Sequence, residues 1–286
     1  MTPRQLLKET AAAFRAVGIP DPEVDASLLL SHLTGKAPLS LRLDGETALA
    51  EDLLARFSAL VQRRMERIPL QYLLGTQDFM GHTFHVDERV LIPRPETELL
   101  CERAIDALRK AGSEHPSALD LCCGSGCIGI SMVLAVPEAE VHQADLSEDA
   151  LAVTRMNADN LHAAVTLHHG DLFHAVGDAK FNVIVSNPPY IPTEECRVLQ
   201  EEVLREPLMA LDGGMTGLDF YERIAQEAPA HLLPGGVLLM EVGWDQGERV
   251  RQLLDDAGFT HTAVHNDYND IGRMVEGHWA AEQHHD

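Results

Sequence analysis

From Ser117 onward the chain alternates two patterns of different period, and this alternation limits its architecture more than any other feature. Short apolar runs at 118–121, 140–144, 165–168, 181–185, 237–242 and 261–265 have the length and β-branched content of strands. Helix-length stretches at 128–136, 148–161, 219–232 and 246–257 fall between most of them. A parallel strand pair needs a long crossover, and a crossover helix covers the sheet it spans, so the pattern predicts a mostly parallel sheet with helices on both faces. Ligands in such sheets bind beyond the carboxyl ends of the strands.

The residues before this region follow other rules. Thr2-Pro3-Arg4-Gln5 offers an N-cap, a first-turn proline and a capping-box partner to a helix that ends at Gly18. A second helix starts at Asp21-Pro22 and stops near Gly35, and a third runs over 47–67, ahead of Pro69. With no strand among them, residues 1–70 are expected to form a small helical bundle. Residues 71–95 form a hairpin linker, with strands at 79–81 and 83–86 and glycines at Gly75 and Gly81 as turn residues. Residues 96–286 make the larger domain, entered by a helix that follows Pro93-Arg94-Pro95. A chain of 286 residues accommodates one large and one small domain.

The strand ends carry the chemistry. Asp120-Leu121-Cys122-Cys123-Gly124-Ser125-Gly126-Cys127 is a glycine-rich strand-to-helix turn, where Gly124 and Gly126 let backbone approach a ligand. Asp145 closes the next strand, at the place of an acid that binds ribose hydroxyls. Gly170-Asp171-Leu172-Phe173 puts a carboxylate and a ring where an adenine could sit. Asn187-Pro188-Pro189-Tyr190 follows the strand at 181–185, and its two prolines stiffen the loop. The Asn187 side-chain oxygen can accept one N–H of a planar NH2 and a proline-locked carbonyl, most simply that of Pro188, the other. Tyr190 gives the same group a flat face. An amide nitrogen is a poor nucleophile, so orienting its lone pair is what such a clamp contributes. Taken alone, the tetrapeptide also fits a plain strand-terminating turn. Either a dinucleotide or S-adenosylmethionine fits the glycine turn and Asp145, and a loop that grips NH2 suits the methyl donor.

Charge and cysteine usage narrow the partners. Lys+Arg 22 against Asp+Glu 45 leaves a formal charge of −23, with no basic run, which disfavours direct nucleic-acid binding. No apolar stretch approaches the roughly 20 residues of a membrane helix, so a cytoplasmic protein is expected; a monomer is expected as well. Five cysteines without Cys-x-x-Cys spacing read as reduced, buried thiols, with no metal, although Cys122, Cys123 and Cys127 lie close together and His168, His169 and His174 follow.

Leu91-Ile92-Pro93-Arg94-Pro95-Glu96-Thr97-Glu98, the glycine turn, Val185-Ser186-Asn187-Pro188-Pro189-Tyr190-Ile191 and Arg205-Glu206-Pro207 with Ala210-Leu211 together resemble the PrmC/HemK family of release factor glutamine methyltransferases over nearly the whole chain. The resemblance implies a Rossmann-like class I fold dependent on S-adenosyl-L-methionine, with S-adenosyl-L-homocysteine as product. It also implies methyl transfer to the side-chain amide nitrogen of the glutamine in the Gly-Gly-Gln (GGQ) loop of peptide chain release factors. Carried over by position, Cys122, Cys123, Gly124, Ser125 and Gly126 would line the methionine moiety, Asp145 the ribose and Phe173 the adenine. Asn187 would meet both cofactor and amide, and Pro188, Pro189 and Tyr190 would complete the glutamine pocket. The helical domain would grip the release factor away from the reacting loop. Cys122-Cys123 departs from the Gly-Thr frequent in this family. A glutamine methyltransferase acting on a ribosomal protein and an adenine N6-methyltransferase on nucleic acid are the alternative enzymes, and a non-catalytic adaptor with the same fold is the alternative of another class.

Overall fold

The computed structural model describes residues 1–43 and 47–280. Backbone contacts divide the chain into two compact units, Met1–Thr76 with Gln200–Arg205, and Gln77–Leu199 with Glu206–Asp286.

In the first unit, Thr2 and Gln5 cap each other across the start of α1 (Pro3–Ala16), which satisfies two amides that a helix start leaves open. Helix α2 (Pro22–Thr34) ends at Gly35, whose left-handed φ of 67° lets the chain leave. The long third helix of the sequence reading is α4 (Glu51–Met65), shorter at both ends than expected. Two short helices were not anticipated, α3 (Pro38–Leu43) and α5 (Leu70–Leu74). Each is about one turn long, too short for the 3.6-residue period to show. Phe14, Leu29, Leu30, Leu41 and Phe57 fill the core between these helices. Arg64 is buried beside them, donating to Asp25 at 2.7 Å and to Glu202 at 3.0 Å, so the inserted segment 200–205 supplies a counter-charge to this unit.

The hairpin pairs β1 (Thr76–Phe79) with β2 (His82–His85), about three residues earlier than expected at its first strand. Met80 (φ 50°) and Gly81 (φ 76°) are both left-handed and make the two-residue turn, so Gly81 is turn and not strand. The hairpin is also not a free linker, because residues 77–95 belong to the second compact unit.

That unit is built from α6 (Pro95–Lys110), β3 (Ser117–Leu121), α7 (Cys127–Ala135), β4 (Glu140–Asp145), α8 (Glu148–Leu161), β5 (Val165–His169), β6 (Phe181–Ser186), α9 (Asp219–His231), β7 (Leu232–Glu241), α10 (Gly247–Asp256), β8 (Thr260–Asn266) and β9 (Gly272–His278). The sheet order is β5-β4-β3-β6-β7-β9-β8, and only β9 runs antiparallel to its neighbours. The pleat sorts the strand residues to two faces. Ala118, Val183, Val185 and Leu239 pack with Leu100 and Ile105 of α6 and Ile130 of α7, while Leu119, Ile184, Leu238 and Met240 pack with Tyr221 and Ile224 of α9 and Leu254 of α10.

Strand β9 lies beyond 261–265, the last strand-like run that the sequence shows. Asp267 accepts from the amides of Asn269 (2.7 Å) and Ile271 (3.1 Å), closing a tight turn that sends the chain back between β7 and β8. Gly277 and His278 lie inside that strand, and Trp279 donates its amide to the Gly236 carbonyl at 2.8 Å. His284 and His285 lie outside the described residues.

Candidate active site

Beyond Leu121 the chain turns through Cys122 (φ 59°), Gly124 (φ 56°) and Gly126 (φ 79°) before α7 begins. Three left-handed residues in five make a sharp reversal that leaves amides at the end of β3. At Gly126 only glycine fits, since a Cβ would lie 2.5 Å from the Thr154 methyl. At Gly124 a Cβ would meet nothing within 4 Å, so its α-carbon faces open space. Cys122 holds a conformation that costs a side-chain-bearing residue about 1–2 kcal/mol and that glycine adopts without that cost.

Side chains behind the turn hold it. Asp120, with no exposed surface, accepts from the Gly129 amide and from Gln143 Nε2, both at 3.0 Å, and Gln143 also donates to the Gly126 carbonyl at 3.1 Å. Thr154 Oγ1 donates to the Gly124 carbonyl at 2.8 Å, and Asn157 Nδ2 to that of Ser125 at 2.9 Å. Burial pushes the Asp120 carboxyl up to about 7. Sequence reasoning passed over Gln143, Thr154 and Asn157. The signal was present on α8, where Thr154 and Asn157 interrupt an otherwise apolar stripe at helical spacing.

Asp145 ends β4 with its carboxylate already oriented, Oδ2 accepting from the Gly124 amide at 2.9 Å and Oδ1 from that of Ser147 at 2.8 Å. Burial raises its pKa, and these backbone amides oppose that shift. Burial, and then the Asp145 charge, also raises the Cys122 thiol, which stays neutral. The thiol is a small neutral wall and not a nucleophile.

At the end of β6 the Asn187 amide nitrogen donates to Thr97 Oγ1 at 3.3 Å, and Thr97 donates in turn to the buried Glu241 carboxylate at 2.6 Å. Asn187 Oδ1 is buried and has no hydrogen-bond partner among the described residues. A buried acceptor left open costs free energy of roughly 1–3 kcal/mol, unless something arrives to bond it. The loop itself is immobilised by close backbone contact: a Cβ on Gly213 would sit 2.7 Å from the Tyr190 α-carbon, and Gln246 Nε2 donates to the Tyr190 carbonyl at 2.9 Å.

A cavity of about 550 Å³ joins these elements beyond the carboxyl ends of β3, β4 and β6, within the range of sites for small ligands. Of the expected residues, Cys122, Gly124, Asp145, Asn187 and Pro189 line it. Cys123, Ser125 and Gly126 are buried behind the turn and shape it. Pro188 is buried and Tyr190 packs on the core, so neither is among the lining residues. Phe173 does not supply an aromatic face to the cavity. It is 2% exposed and stacked on His231 at 4.5 Å, because the residues after Asp171 form a 3-10 turn (Leu172–Ala175) that rolls the ring into the core. The Asp171 carboxylate is taken by Arg223 at 2.8 Å. The apolar wall beside Asp145 comes instead from Leu146 and Ala150, which the sequence reading had not singled out.

The motif stretches quoted from the sequence meet in space. Glu206 accepts from the Ile92 amide at 2.9 Å and pairs with the Arg94 guanidinium, tying the Arg205-Glu206-Pro207 stretch to Ile92-Pro93-Arg94. That tie carries Pro207, Leu208 and Met209 to the cavity rim.

Residues 5–75 match the family model of the PrmC N-terminal domain, and residues 97–214 that of the methyltransferase small domain. A release factor glutamine methyltransferase from Geobacter sulfurreducens is 42% identical over 278 residues, covering 96% of this chain and 96% of the relative. One from Chlorobaculum tepidum is 44% identical over 279 residues, with 94% of each chain covered. Among solved structures, a methyltransferase from Pyrococcus furiosus aligns with a TM-score of 0.54 at 17% identity, over 77% of this chain and 99% of its own. A 16S rRNA methyltransferase from T. thermophilus, in complex with AdoMet and guanosine, aligns with a TM-score of 0.53 at 19% identity, over 71% of this chain and 49% of its own. At such identities these two structures speak for the fold.

Proposed function

Because the chain belongs to the family of release factor glutamine methyltransferases, we propose that it transfers a methyl group from S-adenosylmethionine to the side-chain amide nitrogen of the glutamine in the GGQ motif of peptide chain release factors. The observation that carries this reading is the unpartnered Asn187 Oδ1, a buried acceptor on a residue that lines the cavity. A primary carboxamide offers the N–H such an acceptor lacks.

The cavity suits the donor. Gly124 has open space where a side chain would project, Cys122 is small and neutral, and the carboxylate of Asp145 retains lone pairs beyond the two amides it accepts. Cys122 and Gly124 would border the methionine end, and Asp145 the ribose hydroxyls. Leu146 and Ala150 take the place first assigned to Phe173. When bound, the donor supplies a methyl carbon on a positively charged sulfur. Asn187 accepts one N–H of the glutamine amide, which aims the nitrogen lone pair along the line of attack. Held by Cys122, Gly124 and Asp145, the donor would give its methyl carbon to that nitrogen and keep the C–S electron pair, which would leave its sulfur neutral. The nitrogen then loses one proton to water, so no base is needed at the moment of transfer. The helical unit would hold the release factor, since a short Gly-Gly-Gln loop offers little area for affinity, and the partner and enzyme meet in the cytoplasm.

The test is incubation with a purified release factor and isotopically labelled S-adenosylmethionine, followed by mass mapping of the Gly-Gly-Gln peptide. Label on the glutamine nitrogen is expected. Label confined to a ribosomal-protein glutamine or to a nucleic-acid adenine would overturn the assignment.

A further inference from the structure

An asparagine amide can present either its oxygen or its NH2 to a ligand, and the two faces are nearly the same shape. The clamp described above works only with the oxygen outward, so something must set the choice. We propose that Thr97 and Glu241 form a positioning relay which fixes the Asn187 carboxamide with its NH2 on Thr97 and leaves Oδ1 for the substrate amide; the inference rests on the methyl-transfer reading. Thr97 has one hydroxyl hydrogen. It is committed to Glu241 Oε2 at 2.6 Å, so toward Asn187 the hydroxyl can only accept, and the amide nitrogen fills that place at 3.3 Å. The oxygen is thereby turned away from Thr97, which agrees with its lack of a protein partner. Both relay residues are buried, Thr97 at 2% and Glu241 at 4% exposure, so water does not compete for these bonds. Tyr221 anchors the same stretch by donating its hydroxyl to the Glu241 carbonyl at 2.9 Å.

The relay has a direction, and the direction depends on charge. An ionised Glu241 accepts from Thr97. A protonated Glu241 can donate to Thr97 instead, freeing the hydroxyl hydrogen to point at Asn187 and drawing the amide oxygen inward. The incoming glutamine then faces an NH2 with no lone pair to offer. Burial holds the Glu241 carboxyl up to about 7, Glu96 on α6 reinforces the shift, and Thr97, Arg273 at the start of β9 and Asn187 oppose it. Tyr190, Tyr221 and Cys127 also feel this charge, and all three stay neutral because burial raises them. Turnover is therefore expected to fall as pH drops through the Glu241 titration.

The experiment compares wild type, Thr97→Val, Thr97→Ser and Glu241→Gln in the release-factor assay, with folding checked by thermal unfolding. Valine keeps the shape of threonine without its hydroxyl, and should lower kcat about tenfold or more while KM for S-adenosylmethionine moves less than about twofold. Serine restores the hydroxyl and should return kcat to within about threefold of wild type. From about pH 6 to about pH 8.5, wild type should show a rising limb in kcat that Glu241→Gln lacks, since a carboxamide does not titrate. A Thr97→Val enzyme with wild-type kcat, a Thr97→Ser enzyme as impaired as the valine variant, or a limb that survives Glu241→Gln would each overturn the relay. Failure of the wild type itself to methylate glutamine would sink the functional reading instead, so the two failures are distinguishable.

Discussion

Among the described residues, buried acceptors without partners occur both behind the glycine turn and on a residue that lines the cavity, and they mean different things. Behind the glycine turn, Asp120 Oδ1 and Gln143 Oε1 are unpaired on residues with no exposed surface that do not reach the cavity. At the end of β6, Asn187 Oδ1 is unpaired on a residue that lines it. A proton can relieve the first, since a carboxyl pushed up to about 7 takes one readily near neutral pH. An amide oxygen does not titrate in this range, so with Glu241 ionised the second is left for a donor arriving from the cavity. The same deficit is structural slack in one place and a recognition device in the other.

Removing the open acceptor should break this contrast most severely. Asn187→Ala deletes the orienting oxygen and is expected to lower kcat by about 10²–10³ with a smaller change in cofactor affinity, by analogy with the loss of one positioned group at other active sites. Single-turnover methylation of a release factor measures it, and a wild-type rate would abolish the distinction between the two places. Asp145→Ala should act on the opposite quantity. Its carboxylate is held by the Gly124 and Ser147 amides, so its loss should weaken S-adenosylmethionine binding about 10- to 100-fold, read by calorimetry, with turnover at saturation less affected.

The deficit behind the turn makes a prediction about stability. The folded-state pKa of Asp120 lies near 7 against an ordinary 3.8, so folding favours its protonated form. The stability this group contributes is fully present below about pH 4 and is lost as pH rises through about 7. Asp120→Asn keeps the shape and the acceptor for the Gly129 amide but cannot ionise. At pH 8 it should be more stable than wild type by on the order of 2 kcal/mol, and near pH 4 about equal. Glu241 is raised to about 7 by the same cause and keeps its own share, so the slope of stability against pH is reduced rather than abolished. Denaturant titrations at the two pH values decide the matter. Equal loss in both proteins would mean that Asp120 stays charged when folded.

What could be read from the sequence divides along the same line. Period and punctuation exposed the parallel sheet, the crossover helices, the glycine turn, Asp145 and Asn187, because each is a local signal. Strand β9 was missed because its pairing with β7 and β8 depends on a turn closed by Asp267, an acid that looks like any other surface residue in the string. Phe173 was misplaced because a ring two residues after an acid can face either side of a 3-10 turn, and packing on His231 made the choice. Thr97 and Glu241 are 144 residues apart, and no spacing rule joins them. Their partnership exists only once α6 and β7 are packed.

The smallest expected effect concerns Cys122, a side-chain-bearing residue in a left-handed conformation. Cys122 is left-handed at φ 59°, and it is also half-buried against the core on the α9 side of the sheet. Cys122→Gly should relieve about 1 kcal/mol of backbone strain, while the flexibility added to the unfolded chain and the lost contact of the thiol return a similar amount. Stability should therefore change by less than about 1 kcal/mol. Cys122→Val adds a β-branch where the backbone tolerates one least, and should cost about 2 kcal/mol or more. The difference in denaturation midpoint between the two variants isolates the backbone, because both remove the thiol. If valine were tolerated as well as glycine, the turn would not require a left-handed residue at this position, and the cofactor wall would owe its shape to the side chains behind it alone.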